Sequence, residues 1–174
     1  ANQERKIPHL FAAVTDPFHA RVGITGESPD QRPHHLMGVG TFQPVEELFR
    51  LARQMNPALK AVGVVWNPAE DNSEACLKKA RTVCSELGIS LLESQASLPA
   101  EVPQAVASLL TRGAQALWVG GDTVAIAALG TILKACAPLR VPVMTNDPQD
   151  TAAGALFALG ASYRQVGMEV GRLA

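Results

Sequence analysis

Val62–Asn67 reads VGVVWN, Pro68–Ser73 reads PAEDNS, and Glu74–Leu87 reads EACLKKARTVCSEL. A run this rich in β-branched residues predicts a strand buried on both faces of a parallel sheet. The polar turn after it ends where apolar positions begin to recur at helical spacing, so the three pieces form a strand, a loop and a helix. In such a unit the turn lies at the carboxyl end of the strand. The first amides of the helix point into the crevice where open α/β sheets bind ligands. Asn72 or Ser73 is therefore a candidate N-cap and, equally, a candidate ligand contact.

Working outward, the same alternation repeats. Downstream, Gly88 is placed to end the helix, Ile89–Ser94 (ISLLES) reads as a strand, and Pro99–Leu110 carries a helical apolar face of Val102, Val106, Leu109 and Leu110. Ala116–Val119 (ALWV) is a short buried strand, followed by Gly120, Gly121, Asp122 and Thr123 and by an apolar helix from Thr123 to Cys136. Val141–Thr145 (VPVMT) is the next strand, ending in Asn146, Asp147 and Pro148. Gly154–Ala161 reads as a strand and Tyr163–Ala174 as a helix. Upstream, Leu48, Leu51, Ala52 and Met55 mark a helix over Val45–Met55, stopped by Asn56 and Pro57. Leu36–Val39 is a short apolar run, His19–His35 a long polar surface loop, and Pro8–Val14 a strand closed by Thr15, Asp16 and Pro17.

Strands and helices in this order predict an α/β fold, a parallel sheet with helices on both faces. Four strand ends then carry polar turns: Thr15 with Asp16, Asn72 with Ser73, Asp122 with Thr123, and Asn146 with Asp147. Carboxyl ends of parallel strands share one edge, so the four turns are expected to converge on one crevice. Each of these residues has a humbler use as a helix cap or turn former, and convergence is what sets the ligand-binding use apart.

Composition narrows the functions. The chain of 174 residues is 47% hydrophobic and 18% charged, with 15 basic and 16 acidic side chains and a net charge of -1. That balance gives no footprint for nucleic acid and no basic patch for a membrane surface. Cys76, Cys84 and Cys136 cannot all pair, and Cys76 and Cys84 lie two helical turns apart, so all three read as small buried hydrophobes. His34 and His35 are adjacent but lack Cys, Asp or Glu at ligand spacing, so no metal site is expected. The opening ANQERK is neither a signal peptide nor a membrane span.

The phosphate loop, the dinucleotide fingerprint and the nucleophile elbow are all absent from the sequence. Asp16, Asp122 and Asp147 could serve acid–base roles or hold Mg²⁺. Hydroxyls, amides and carboxylates at several turns also suit a zwitterion, with acceptors for its ammonium group and helix amides for its carboxylate.

The strings FAAVTDP (Phe11–Pro17), GVVWNPAEDNS (Gly63–Ser73), GDTV (Gly121–Val124), VPVMTNDP (Val141–Pro148) and GALFALGASYRQVG (Gly154–Gly167) resemble the ABC-transporter substrate-binding protein family typified by tryptophan- and tyrosine-binding lipoproteins. The resemblance covers nearly the whole chain. It implies a type I periplasmic-binding fold in which two lobes close on a small ligand, often an aromatic amino acid, and deliver it to an ABC permease outside the cytoplasm. Carried over by position, it implies ligand contacts at Thr15, Asp16, Asn72, Ser73, Asp122, Thr123 and Asp147, with no cofactor and no catalysis. Helix amides near Ser73 and Thr123 would hold the ligand's carboxylate and an aspartate its ammonium. Trp66 stands where the family has an aromatic before NP, and its apolar neighbours point to strand core.

Against the family's longer chains, the resemblance implies an incomplete first lobe. Residues 1–43 are then a remnant of that lobe with a hinge crossing, 44–148 a second lobe, and 149–174 the crossing back. A sheet edge left by missing strands would favour pairing of two copies into a homodimer. His19–His35 replaces a shorter glycine-rich connection. Two other functions stay open on the residues alone: a ligand-sensing module of a receptor or regulator, and an enzyme acting through Asp16 and Asp122.

Overall fold

The computed structural model describes residues 7–18, 20, 22–24 and 33–174. The polar opening at 1–6 and most of the loop read from His19 to His35 lie outside the described residues. In chain order come β1 (His9–Val14), β2 (Leu36–Gly40), α1 (Val45–Met55), β3 (Ala61–Trp66), α2 (Asp71–Leu87), β4 (Ser90–Gln95) and α3 (Val102–Thr111). They are followed by β5 (Ala116–Val119), α4 (Thr123–Ala127), α5 (Leu129–Cys136), β6 (Val143–Thr145), α6 (Asp150–Ala153), β7 (Phe157–Ala158) and α7 (Tyr163–Leu173). The chain divides into two compact units, residues 1–42 with 161–174 and residues 43–160.

In the first unit β1 and β2 pair in parallel from His9 opposite Leu36 to Val14 opposite Gly40. The register shifts at Ala13, whose φ of 54° marks the bulge. α7 packs on both strands and is capped by Ser162, whose hydroxyl accepts from the Gln165 amide.

The second unit holds a parallel sheet in the order β4-β3-β5-β6-β7. Alternate side chains of its central strands face opposite ways, as the strand period demands. Val62, Val64, Ala116, Trp118 and Met144 meet Leu48, Phe49, Leu77 and Val83 from α1 and α2. Val65, Leu117, Val119 and Val143 meet Val106, Leu109, Leu129 and Ile132 from α3 and α5. Each large apolar side chain buried this way contributes about 1.5–3 kcal/mol, which is what holds helices to both faces. Gly63 in the deciding strand has a packing reason as well. A Cβ there would lie 2.5 Å from Leu117 Cδ2 and 3.2 Å from the Cβ atoms of both Leu109 and Ala114.

Three expectations are corrected. The helix read over Thr123–Cys136 divides at Ala128 (φ -100°, ψ 9°), whose amide is shared between the Val124 and Ala125 carbonyls, so that one turn tightens and the axis breaks. The strand read over Gly154–Ala161 is only Phe157–Ala158. Before it, Asp147 Oδ1 accepts from the Gln149 amide and starts a single helical turn, α6, which Gly154 closes at φ 116°. Because β7 pairs with β6, Met144 opposite Phe157, the second unit runs to Gly160 and residues 149–160 are not a crossing.

Cys76, Cys84 and Cys136 are buried, and burial pushes the thiols of Cys84 to about 12 and Cys136 to about 11. Thiols held that high are inert at neutral pH.

Candidate functional site

The turns after β3, β5 and β6 lie along one edge of the 43–160 sheet. β3 hands the chain to Asn67, which is 7% exposed. Its side-chain Oδ1 accepts from the Ala69 amide at 3.0 Å and its carbonyl from the Glu70 amide at 3.2 Å, which closes the Asn-Pro turn. With the turn already closed, α2 starts at Asp71 with Glu70 as its N-cap residue. Asn72 and Ser73 are therefore its second and third residues and not its caps, and no side chain caps α2.

Asp122 does cap its helix, accepting from the Ala125 amide at 2.7 Å. The same carboxylate is 3% exposed and its other oxygen accepts from the Asn67 amide at 2.5 Å and the Ser73 hydroxyl at 2.7 Å. A buried carboxylate without a cation survives only if donors surround it, and here three do. Asp122 thus joins the end of β3, the first turn of α2 and the first turn of α4.

A second carboxylate joins the same turns from the rim. Glu70 accepts from the Thr123 amide at 3.0 Å, from the Thr123 hydroxyl, and from Asn67 Nδ2 at 3.1 Å, while Asn72 Nδ2 bonds the Gly121 carbonyl. Burial pushes the Glu70 carboxyl up, but the hydrogen bonds from Thr123, Asn67 and Asn72 outweigh it and hold it below the usual range. A group depressed in the folded state stabilises above its unfolded pKa, and that contribution is lost as pH falls through the folded value. Glu70→Gln is accordingly expected to lower the melting temperature at pH 7 by roughly 2–4 °C, allowing for solvent screening at this partly buried site. The gap should close in acid below the normal glutamate range. Thermal melts of both proteins from pH 3 to 7 check it, and a gap independent of pH would contradict the assignment.

Of the seven residues expected from the sequence, the structure brings together Asn72, Ser73, Asp122 and Thr123. Asp147 occupies the neighbouring turn after β6, where Oδ1 takes the Gln149 amide at 2.9 Å and its carbonyl takes the Thr145 hydroxyl at 3.1 Å. Beside it, burial pushes the Asp150 carboxyl up, with Asp147 adding like-charge repulsion against a hydrogen bond from Thr145. Thr15 and Asp16 belong to the other unit, where Asp16 Oδ1 takes the Phe18 amide at 3.0 Å. Trp66 packs against the α1/α2 cluster with the Arg81 guanidinium 5.9 Å from its ring, consistent with strand core. Asn67 and Glu70 went unmarked in the sequence, although the Asn-Pro turn was the signal for the first.

Chemically the corner is a set of braced acceptors and uncapped α2 amides. Ser73 donates straight to Asp122 with no histidine between them, which is a brace and not an activated nucleophile. No group of three or more metal-ligating side chains gathers among the described residues. No helix among them is long and apolar enough to cross a membrane.

This chain matches, over residues 1–174, the family described as ABC transporter substrate binding protein. A tyrosine-binding protein of Clostridioides difficile is 25% identical over 173 residues, 99% of this chain and 49% of the relative. A conserved domain protein of Vibrio cholerae superposes with a TM-score of 0.85 at 25% identity, over 95% of this chain and 54% of that one. The ABC domain of a Streptococcus pneumoniae protein in complex with L-Trp superposes at 0.84 with 20% identity, over 95% and 55%, which shows the shared fold. The chain spans about half the length of the relatives it matches.

Proposed function

Since the chain belongs to the ABC transporter substrate-binding protein family, we propose that it is the extracytoplasmic solute-binding part of an importer. It takes an amino acid, of the aromatic kind, between two lobes and passes it to a membrane permease. The observation that carries this reading is the corner where Asn72, Ser73, Asp122 and Thr123 meet at the carboxyl ends of β3 and β5. The likeness to a tyrosine-binding protein supports the choice of ligand.

The contacts proposed are Thr15, Asp16, Asn72, Ser73, Asp122, Thr123 and Asp147, with roles graded by the geometry. Asp122 and Ser73 support the corner from beneath, and Asn72 and Thr123 form its rim. In this reading the ligand's carboxylate goes to α2, whose first amides no side chain caps, because Asp122 and Glu70 already occupy the Ala125 and Thr123 amides of α4. A helix terminus contributes about 0.3–1 kcal/mol, or up to about 2 when partly buried, whereas micromolar affinity needs about 8. Tight binding therefore requires contacts from both lobes.

Titration of this chain with L-tyrosine and L-tryptophan, followed by amide chemical shifts, tests the proposal and detects even millimolar affinity. The expected result is saturable one-to-one binding, with the largest shifts at 70–73 and 121–124 and the amino acid recovered unchanged. Unshifted spectra with every amino acid, or chemical turnover of the bound one, would overturn it.

A further inference from the structure

Gln43 opens the 43–160 unit and lays its side-chain amide against Gly121 in the turn between β5 and α4. A Cβ on Gly121 would sit 2.5 Å from Gln43 Nε2 and 3.0 Å from its Cδ, so this turn needs glycine because Gln43 fills the space. Gln43 Oε1 is buried and accepts no hydrogen bond among the described residues. A buried acceptor left unmade is rare in a folded protein and calls for a partner from elsewhere.

The donors that brace the β5–α4 turn are already spent, whereas the first α2 amides stay open. The Thr123 amide and hydroxyl are committed to Glu70, the Asn67 amide and Ser73 hydroxyl to Asp122, and the Asn72 side chain to the Gly121 carbonyl. What Gln43 brings to this turn is an idle carbonyl oxygen, and the turn itself carries the Asp122 carboxylate and holds that of Glu70 through Thr123. That side of the corner is complementary to a positively charged donor, while the open α2 amides are left for the carboxylate.

We propose that Gln43 is a ligand-binding residue whose Oε1 accepts a hydrogen bond from the ammonium group of the bound amino acid. The inference rests on the amino-acid reading above and adds which end of the ligand meets the β5–α4 turn. Gln43 as a whole is only partly buried, and its terminal amide turns about a soft two-fold torsion, so the oxygen can swing to a donor arriving beside Gly121. Glu70 and Asp122 supply the negative field that favours the ammonium there.

The test compares L-tyrosine with desaminotyrosine, which lacks the ammonium, on the native chain and on Gln43→Leu and Gln43→Glu, reading affinity from chemical-shift titrations and folding from thermal melts. Gln43→Leu should weaken L-tyrosine about tenfold and leave desaminotyrosine unchanged. Gln43→Glu, which keeps an acceptor and adds charge, should bind L-tyrosine at least as well as the native protein. A trapped water as the true partner predicts a changed melting temperature with both affinities untouched, and that result overturns the proposal, as does equal weakening of the two ligands. If the native chain binds no amino acid at all, the amino-acid reading fails and the Gln43 contact fails with it. Binding by the native chain with indifference to Gln43 defeats the contact alone.

Discussion

Asp122→Ala will cost about 4 kcal/mol of folding stability, the sum of three charge-assisted hydrogen bonds less what entering water recovers. The change strands the Ser73 hydroxyl and the Ala125 amide and leaves the Asn67 amide only its longer bond to Ser73 Oγ at 3.3 Å, all in a buried corner. Against a total stability of about 5–15 kcal/mol, such a loss is large. The urea midpoint should fall with the slope unchanged, since the native surface stays the same. Asp122→Asn separates the parts. Its oxygen can keep the Ala125 cap, and Ser73 can turn its hydroxyl to accept, but the Asn67 amide then faces an NH₂ group. That variant should lose about 1–3 kcal/mol. Ser73→Ala should lose about 1 kcal/mol, and less again in the presence of Asp122→Ala, because the two share one bond. Denaturant unfolding of the native protein and these four variants decides the matter, and an Asp122→Ala loss under about 1 kcal/mol would mean that the corner is held by other contacts.

The double use of Asp122 marks the limit of what could be read from the chain. Its capping of α4 was legible, because an Asp before an apolar helical run is a local signal. Its bond to the Asn67 amide, 55 positions away, was not, since only the β3–β5 pairing brings the two turns together. The same holds for Glu70, whose partner Thr123 is 53 positions on. Where local pattern suffices, elements were legible to the residue: α1 over Val45–Met55 and β5 over Ala116–Val119. Asn72 and Ser73 mark the right turn, but neither is the N-cap, because the Asn67 side chain closes that turn early and lets α2 begin before them. α6 was illegible for another reason. A helix of four residues is too short to show a period, and the Asp147 turn that starts it looks like any Asx turn. That the turns after β3, β5 and β6 share an edge followed from parallel topology alone, whereas the turn at Thr15 and Asp16 ends a strand of a separate sheet. Which of them brace one another depended on side chains that no spacing rule reaches.

Trp118→Ala will destabilise the protein by about 3–5 kcal/mol, as expected for deleting a large aromatic from a close-packed core. Trp118 is 2% exposed, sits in β5 at the centre of the sheet, and meets Phe49 of α1 edge to face with centroids 5.3 Å apart and planes at 72°. The more telling change is Trp118→Phe. It keeps much of the ring contact but removes the indole N–H, which donates to Asn146 Oδ1 at 2.7 Å, and so leaves that buried oxygen unpaired at a cost of about 1–3 kcal/mol. The Asn146 amide in turn holds the Leu159 carbonyl at 2.7 Å, so one indole fixes the turn after β6 and the exit from β7. If Trp118 acts only as packing, Trp118→Phe will lower the melting temperature and leave amide shifts at 146–149 near their native values. If the hydrogen bond orients the turn, those amides will move and exchange faster while the distant α2 amides near Cys84 stay protected. The second result is expected, because Asn146 has no other donor for Oδ1 among the described residues and Asp147, one residue on, takes its position along the sheet edge from it.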